Sequence, residues 1–347
     1  MHLDPLDLNV TGNFKSPVTA PQQPAMTVEQ VYELVMQDRR AVDAVISNRL
    51  QSDVVLVNQL GQYIINSGGK RLRPLLMILS ARAFGYRGYA HTQLAAVVEF
   101  IHTATLLHDD VVDASDLRRG KETANAIWGN EASVLVGDFL YSRAFQMMVE
   151  AGSMRIMQVL SDATNIIAEG EVMQLMNCHE PGTTEEQYME VIRFKTAKLF
   201  EAASELGAIL CERPQEEIEQ MAKFGMHIGT AFQLIDDVLD YSASSDEIGK
   251  NIGDDLAEGK PTLPLIYTMR CGTEQQAEVV RNAIEEGGRD KINEVITAIN
   301  GSGALDYTRA AARQEAQYAI EALQFLPSSE YKTALLSLAE FSVQRSY

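Results

Sequence analysis

The sequence predicts an all-α fold, a single-domain helix bundle, and three observations carry that expectation. No proline occurs between Pro74 and Pro181, which is hard to reconcile with a sheet protein and its turns. Within that stretch apolar residues recur three and four apart, as in Leu135, Phe139, Leu140 and Ala144. Two capping boxes, Thr27-x-x-Gln30 and Thr184-x-x-Gln187, mark helix starts, and neither a βαβ alternation nor a hairpin signal accompanies them.

Taken in order, residues 1–26 read as a flexible leader or a non-native start, because Pro5, Pro17, Pro21 and Pro24 stand among polar residues with no sustained period. Residues 27–347 read as one domain. Val31, Leu34 and Val35, then Val42, Val45 and Ile46, give the first helical stripe. Helix boundaries are expected at Gly68-Gly69, Gly85, Gly88, Gly120, Gly152, Pro181-Gly182, Pro214, Gly259 to Pro261, Gly287-Gly288, Gly301 to Gly303 and Pro327, leaving roughly a dozen helices.

A formal charge of −19 over 347 residues excludes a general nucleic-acid or anionic-membrane surface, which needs a basic face. Anions can still be bound where the few cations concentrate. Cys178, Cys211 and Cys271 are scattered without CxxC spacing, so neither a zinc site nor a disulfide framework is indicated, and a cytoplasmic location is the simplest expectation. Neither a membrane span nor a secretory signal is read.

The chemistry is carried by a duplicated acidic pattern. LLHDDVVDASDLRRG holds Asp109, Asp110 and Asp113; FQLIDDVLDY holds Asp236, Asp237 and Asp240. Residues i and i+4 share a helix face, so Asp109 pairs with Asp113 and Asp236 with Asp240. Stacked like charges among leucines and valines are costly unless a cation joins them. Paired carboxylates of this type suit Mg²⁺, which binds through one or two carboxylates together with substrate phosphates. The alternative, an exposed acidic turn, loses ground when the same spacing recurs in a second apolar helix.

Two basic clusters complement the acids. Lys70, Arg71 and Arg73 follow Gly68-Gly69, and Arg118-Arg119-Gly120 follows the first acidic motif by about one helical turn. Glycine lets backbone approach phosphate, and Arg contacts phosphoryl oxygens bidentately. His108 reads as a packing group, Met147, Met148, Met154 and Met157 as core filler, and Trp128 carries no functional reading.

With these motifs in view, the chain from Thr27 onward resembles the trans-isoprenyl diphosphate synthases. The ordered signature is GGKRLRP, FIHTATLLHDDVVDASDLRRG, GEVMQL, KTAKLF, GTAFQLIDDVLDY and GKNIGDDLAEGKPTLPL. The resemblance implies an isoprenoid-synthase-type bundle around a central cavity, and a prenyltransferase joining isopentenyl diphosphate to farnesyl or another allylic diphosphate. The similarity is greatest to long-chain members that supply quinone side chains. Two to three Mg²⁺ ions and a homodimer are implied as well. By motif, Lys70, Arg73, His102 and Arg119 correspond to the isopentenyl diphosphate site. Arg118, Lys195, Thr196 and Gln233 correspond to the allylic site, with Lys250 and Lys260 as further cations. Asp109, Asp113 and Asp236 correspond to direct metal ligands, while Asp110, Asp237 and Asp240 act through water or from behind.

Three other readings fit less well. A class I terpene cyclase has no need of GGKRLRP; a head-to-head synthase would carry DxxED-like motifs; a non-catalytic prenyl-diphosphate-binding subunit tends to lose aspartates, and all six are present. Shorter- or longer-chain products remain alternatives, since length depends on tunnel depth. Ala104 and Thr105, one turn before Asp109, are expected to face the growing tail, with Phe145, Met147 and Met148 as the tunnel floor.

Overall fold

The computed structural model describes residues 25–118, 120–242, 253–287 and 289–345. Its N-terminal half comprises α1 (Val28–Leu34), α2 (Met36–Arg49), α3 (Val55–Asn66), α4 (Leu72–Ala83), α5 (Ala90–Val112), α6 (Ala124–Trp128), α7 (Asn130–Glu150) and α8 (Met154–Asn177). After these come α9 (Glu185–Ile192), a π-helical turn (Arg193–Ala197), α10 (Lys198–Leu210) and α11 (Gln215–Ser242). The chain closes with α12 (Asp254–Ala257), α13 (Leu263–Cys271), α14 (Glu274–Glu286), α15 (Ile292–Ser302), α16 (Ala304–Ala322) and α17 (Glu330–Gln344). Helices outnumber the expected dozen because breaks such as Val35 split stretches whose apolar stripe runs on.

Both expected capping boxes form, and a third, Thr273 with Gln276, opens α14. At the start of the described chain the Met26 amide donates to Ser337 Oγ at 3.0 Å. Residues 1–24 of the leader lie outside the described residues.

Three helices form the centre. In α5 every residue from Leu94 to Ile101 is buried and all but Glu99 are apolar, so the helix is enclosed on all sides where it crosses the core. The 28-residue α11 packs most extensively on α10 and α16. Gly225 and Gly229 permit the α10 contact: a Cβ at Gly225 would stand 2.4 Å from the Phe200 carbonyl oxygen. Val31, Leu75, Phe100, Phe200 and Phe224 belong to the main apolar cluster, and α12 to α15 add a second around Val280 and Ile299.

Two local features depart from the sequence reading. The absence of a hairpin signal is corrected: Leu117–Arg118 and Lys121–Glu122 form a small antiparallel ladder, with Arg118 opposite Lys121. Gly120, at φ 74°, takes a backbone conformation there that other residues resist. Arg118 thus leaves a hairpin and not a helix. The second feature is the π turn, which interrupts what reads as one helix through Lys195 and Thr196. Helix α8 presses against it at Gly170, where a Cβ would lie 2.6 Å from the Lys195 amide nitrogen.

Candidate active site

The N-terminus of α4, the face of α5, α8, α9, the π turn and α11 enclose a cavity of about 710 Å³. Lys70, Arg73, His102, Asp109, Asp113, Arg118, Lys195, Thr196, Gln233, Asp236, Asp237, Asp240 and Lys260 all line it. Six motifs scattered along the sequence therefore supply one surface. Of the other expected site residues, Asp110 is buried behind the wall, and Arg119 and Lys250 lie outside the described residues.

Each acidic motif splits into cavity-facing and anchored carboxylates. Asp109 stands 3.7 Å from Lys195 Nζ, and Asp113 accepts from Lys260 Nζ at 3.0 Å. Asp110, fully buried, instead receives Arg118 through Nε at 2.8 Å and a terminal nitrogen at 2.6 Å. In the second motif Asp236 receives Arg345 at 2.8 Å. Asp237, 1 % exposed, accepts from the Tyr188 hydroxyl at 2.5 Å and from Gln233 Nε2 at 2.8 Å. The Asp240 carboxylate accepts the Asp255 amide at 3.4 Å. The middle aspartate of each motif is thus an anchor engaged by protein donors.

Electrostatics follow from this crowding. Burial disfavours the Lys195 charge, but Asp109 and Glu171 outweigh it and raise its pKa above the usual lysine value. The same balance raises Arg118 through Asp110, and Lys260 through Asp113 and Glu258. Burial pushes Glu171 and Glu258 up to about 7, against the pull of Lys195 and Lys260 respectively. Asp237 is also pushed well up, by burial and by Asp255, against donation from Tyr188 and Gln233.

A second cationic group occupies the α4 end. Arg73 stacks 4.3 Å over the Phe200 ring and approaches His102 Nε2 at 3.3 Å and the Thr196 carbonyl at 3.5 Å. Lys70 lies 5.0 Å over Phe341 of α17, and its backbone carbonyl accepts from the Tyr32 hydroxyl at 2.8 Å. Burial and neighbouring Arg345 lower the Lys70 pKa. Arg71 also lines the cavity and pairs with Asp43 and Glu99.

The chemistry of the donor set fits a hard divalent cation: Asp109, Asp113, Asp236 and Asp240 offer carboxylate oxygens to one cavity. Among the described residues, no three acidic, histidine or cysteine side chains already converge on one point. Lys and Arg pair with Asp109, Asp113 and Asp236.

Sequence reasoning missed Tyr188, Arg345, Glu171, Asp255 and Glu258. Of these, Glu171 stood inside a recognised motif, GEVMQL, and Asp255 and Glu258 inside another. Tyr188 and Arg345 carried no local signal. His108 packs as expected, its Nε2 3.2 Å from the Val134 carbonyl of α7. One expectation is corrected. The α5 wall is made by Glu99, His102, Thr103, Thr105, Leu106 and Asp109, whereas Ala104 is fully buried in the core, pointing between helices. Met147 and Met148 are likewise core residues and Phe145 is exposed; none lines the open cavity.

An all-α bundle around one cavity, with paired carboxylates facing clustered cations, defines a class that handles substrates carrying more than one phosphate. The sequence model of the Polyprenyl synthetase family matches residues 54–300, and the chain belongs to that family. It is 56 % identical to the octaprenyl diphosphate synthase of Escherichia coli over 321 residues, covering 92 % of this chain and 99 % of that one. Identity to an all-trans-nonaprenyl-diphosphate synthase (geranyl-diphosphate specific) of Rhodobacter capsulatus is 47 % over 312 residues, 90 % of this chain and 96 % of the relative. A crystal structure of a polyprenyl synthase from Caulobacter crescentus, complexed with calcium and isoprenyl diphosphate, matches with a TM-score of 0.90 at 44 % identity. That match covers 94 % of this chain and 100 % of the solved one.

Proposed function

We propose that the chain is a trans-polyprenyl diphosphate synthase. It condenses isopentenyl diphosphate head-to-tail onto farnesyl or another allylic diphosphate, yielding all-trans-octaprenyl diphosphate for a quinone side chain. The observation that carries this reading is the convergence of both acidic motifs and both cationic groups on one cavity. Identity of 56 % to an octaprenyl diphosphate synthase supports the product length.

Asp109, Asp113 and Asp236 would hold Mg²⁺, two to three ions, with Asp240 facing the same cavity. When bound, the metal neutralises charge on the departing diphosphate. Lys195, Lys260 and Arg118 bind the same diphosphate, with Arg118 fixed by Asp110. As the allylic carbon–oxygen bond breaks, the oxygens of Thr196 and Gln233 face the developing cation. Lys70, Arg73 and His102 hold isopentenyl diphosphate so that its double bond forms the new carbon–carbon bond. A diphosphate oxygen then takes the proton lost from the product cation.

The exposed Leu135, Phe145 and Val149 of α7 and Val172, Leu175 and Met176 of α8 support a homodimer burying this face. No helix among the described residues is long and apolar enough to cross a membrane, and Cys178, Cys211 and Cys271 are free, which supports a cytoplasmic enzyme. Incubation with farnesyl diphosphate, labelled isopentenyl diphosphate and Mg²⁺ tests the reading. An eight-unit product is expected; a shorter or longer one overturns the length, and no elongation overturns the reaction.

A further inference from the structure

Tyr188 belongs to none of the motifs, yet its side chain reaches the centre of the site. It rises from α9 into the body, where it is 5 % exposed, and meets Asp237 of α11. Asp237 in turn holds Gln233 one turn earlier, and Gln233 Oε1 accepts from Thr196 Oγ1 at 3.0 Å. The Thr196 carbonyl faces Arg73. A continuous run of polar contacts thus links a buried tyrosine to the two side chains whose oxygens face the reacting carbon.

We propose that Tyr188 is a positioning residue for prenyl transfer: it fixes Asp237 so that the Gln233 amide can present only its oxygen toward Thr196 and the cavity. The proposal rests on the prenyl-transfer reading above. An amide has two ends of nearly equal size, one donating and one accepting, so its orientation is set by its neighbours. The Asp237 oxygen facing Gln233 accepts, so it selects the NH₂ end and leaves Oε1 for Thr196. Thr196 then spends its hydroxyl proton on Oε1 and directs its lone pairs to the cavity.

The tyrosine hydroxyl donates to one Asp237 oxygen and so holds the carboxylate with its other oxygen toward the NH₂ end of Gln233. Phenylalanine makes no such bond. The carboxylate is then free to turn away from Gln233, and the amide, no longer held by its NH₂ end, is free to turn over. The NH₂ end, with its partial positive charge, would then approach the developing cation, where a donor dipole raises the barrier.

The test is a double-mutant cycle measured on purified full-length protein with farnesyl and isopentenyl diphosphates. Tyr188→Phe is expected to lower kcat about tenfold while leaving the KM of each substrate within about twofold. In a Gln233→Ala background the same change is expected to cost less than about twofold, because the group through which it acts is gone. Asp237→Asn, which places a rotatable amide against Gln233, should show the same dependence on Gln233 and covers the case in which Tyr188→Phe folds poorly by circular dichroism. Full, additive losses in both backgrounds, or unchanged kcat in Tyr188→Phe, overturn the positioning role. An inactive wild-type chain overturns the underlying reading as well, whereas active wild type with additive losses overturns the role of Tyr188 alone.

Discussion

Arg345 donates to Asp236 at 2.8 Å and lies 3.6 Å over the Phe232 ring, so the residue just after α17 supplies the counter-charge of the second acidic motif. A metal ion at Asp236 must displace that guanidinium or share the carboxylate with it. Asp236 is 42 % exposed, so solvent weakens the pair and its removal has a modest effect. Arg345→Gln is expected to lower the Mg²⁺ concentration for half-maximal activity by about threefold. A metal titration of initial rates checks it, and a raised Mg²⁺ requirement would contradict the competition.

The two acidic motifs act together. Asp109→Ala and Asp236→Ala should each reduce kcat by two or more orders of magnitude, roughly the loss seen when charge stabilisation of a leaving group is removed. Helical content should persist, since both side chains face the cavity and neither belongs to the apolar core. Near-normal turnover in both variants would remove the metal assignment.

The motifs made much of this site legible before any coordinates. Asp109 with Asp113, and Asp236 with Asp240, follow from helix periodicity, and five of the basic residues expected to bind diphosphate do line the cavity. What stayed hidden depends on tertiary approach. Nothing near Tyr188 or Arg345 in the chain announces Asp237 or Asp236, because those pairings arise only when α9 and the end of α17 pack against α11. The π turn was illegible for a related reason: Gly170, on another helix, makes room for the Lys195 backbone. Ala104 and Thr105 look equivalent as small residues one turn before Asp109, and only packing separates the buried one from the one that faces substrate.

That separation gives the third prediction. Thr105→Phe places a ring in the cavity and should shorten the product to about three or four isoprene units, since one unit is about as long as one helical turn. Ala104→Phe overpacks a closed core and should instead destabilise the fold by about 1–3 kcal/mol. Product chromatography and thermal unfolding distinguish the two. Truncation by Ala104→Phe with an unchanged unfolding temperature would show that the tail runs along the other side of α5.

Glu171 provides a pH test. Its folded pKa, pushed up to about 7, exceeds the usual glutamate value. A carboxyl with a raised folded pKa contributes stability that is present below its unfolded pKa and is lost as pH rises through the folded one. The neutral Glu171→Gln variant lacks this loss. Relative to wild type it should therefore gain stability between about pH 4.5 and pH 8. Unfolding temperatures measured in metal-free buffer across that range check the sign; a difference that narrows or stays constant would contradict it.

The central claim is that one cavity holds two diphosphates, the allylic one against the carboxylates and Lys195, the isopentenyl one against Lys70 and Arg73. A crystal structure with Mg²⁺, a non-ionisable thio-analogue of farnesyl diphosphate and isopentenyl diphosphate measures this directly. The account predicts metal between Asp109, Asp113, Asp236 and the allylic diphosphate, with the second diphosphate on Lys70, Arg73 and His102. Both diphosphates on the carboxylate side, or metal held away from Asp109 and Asp236, would contradict it.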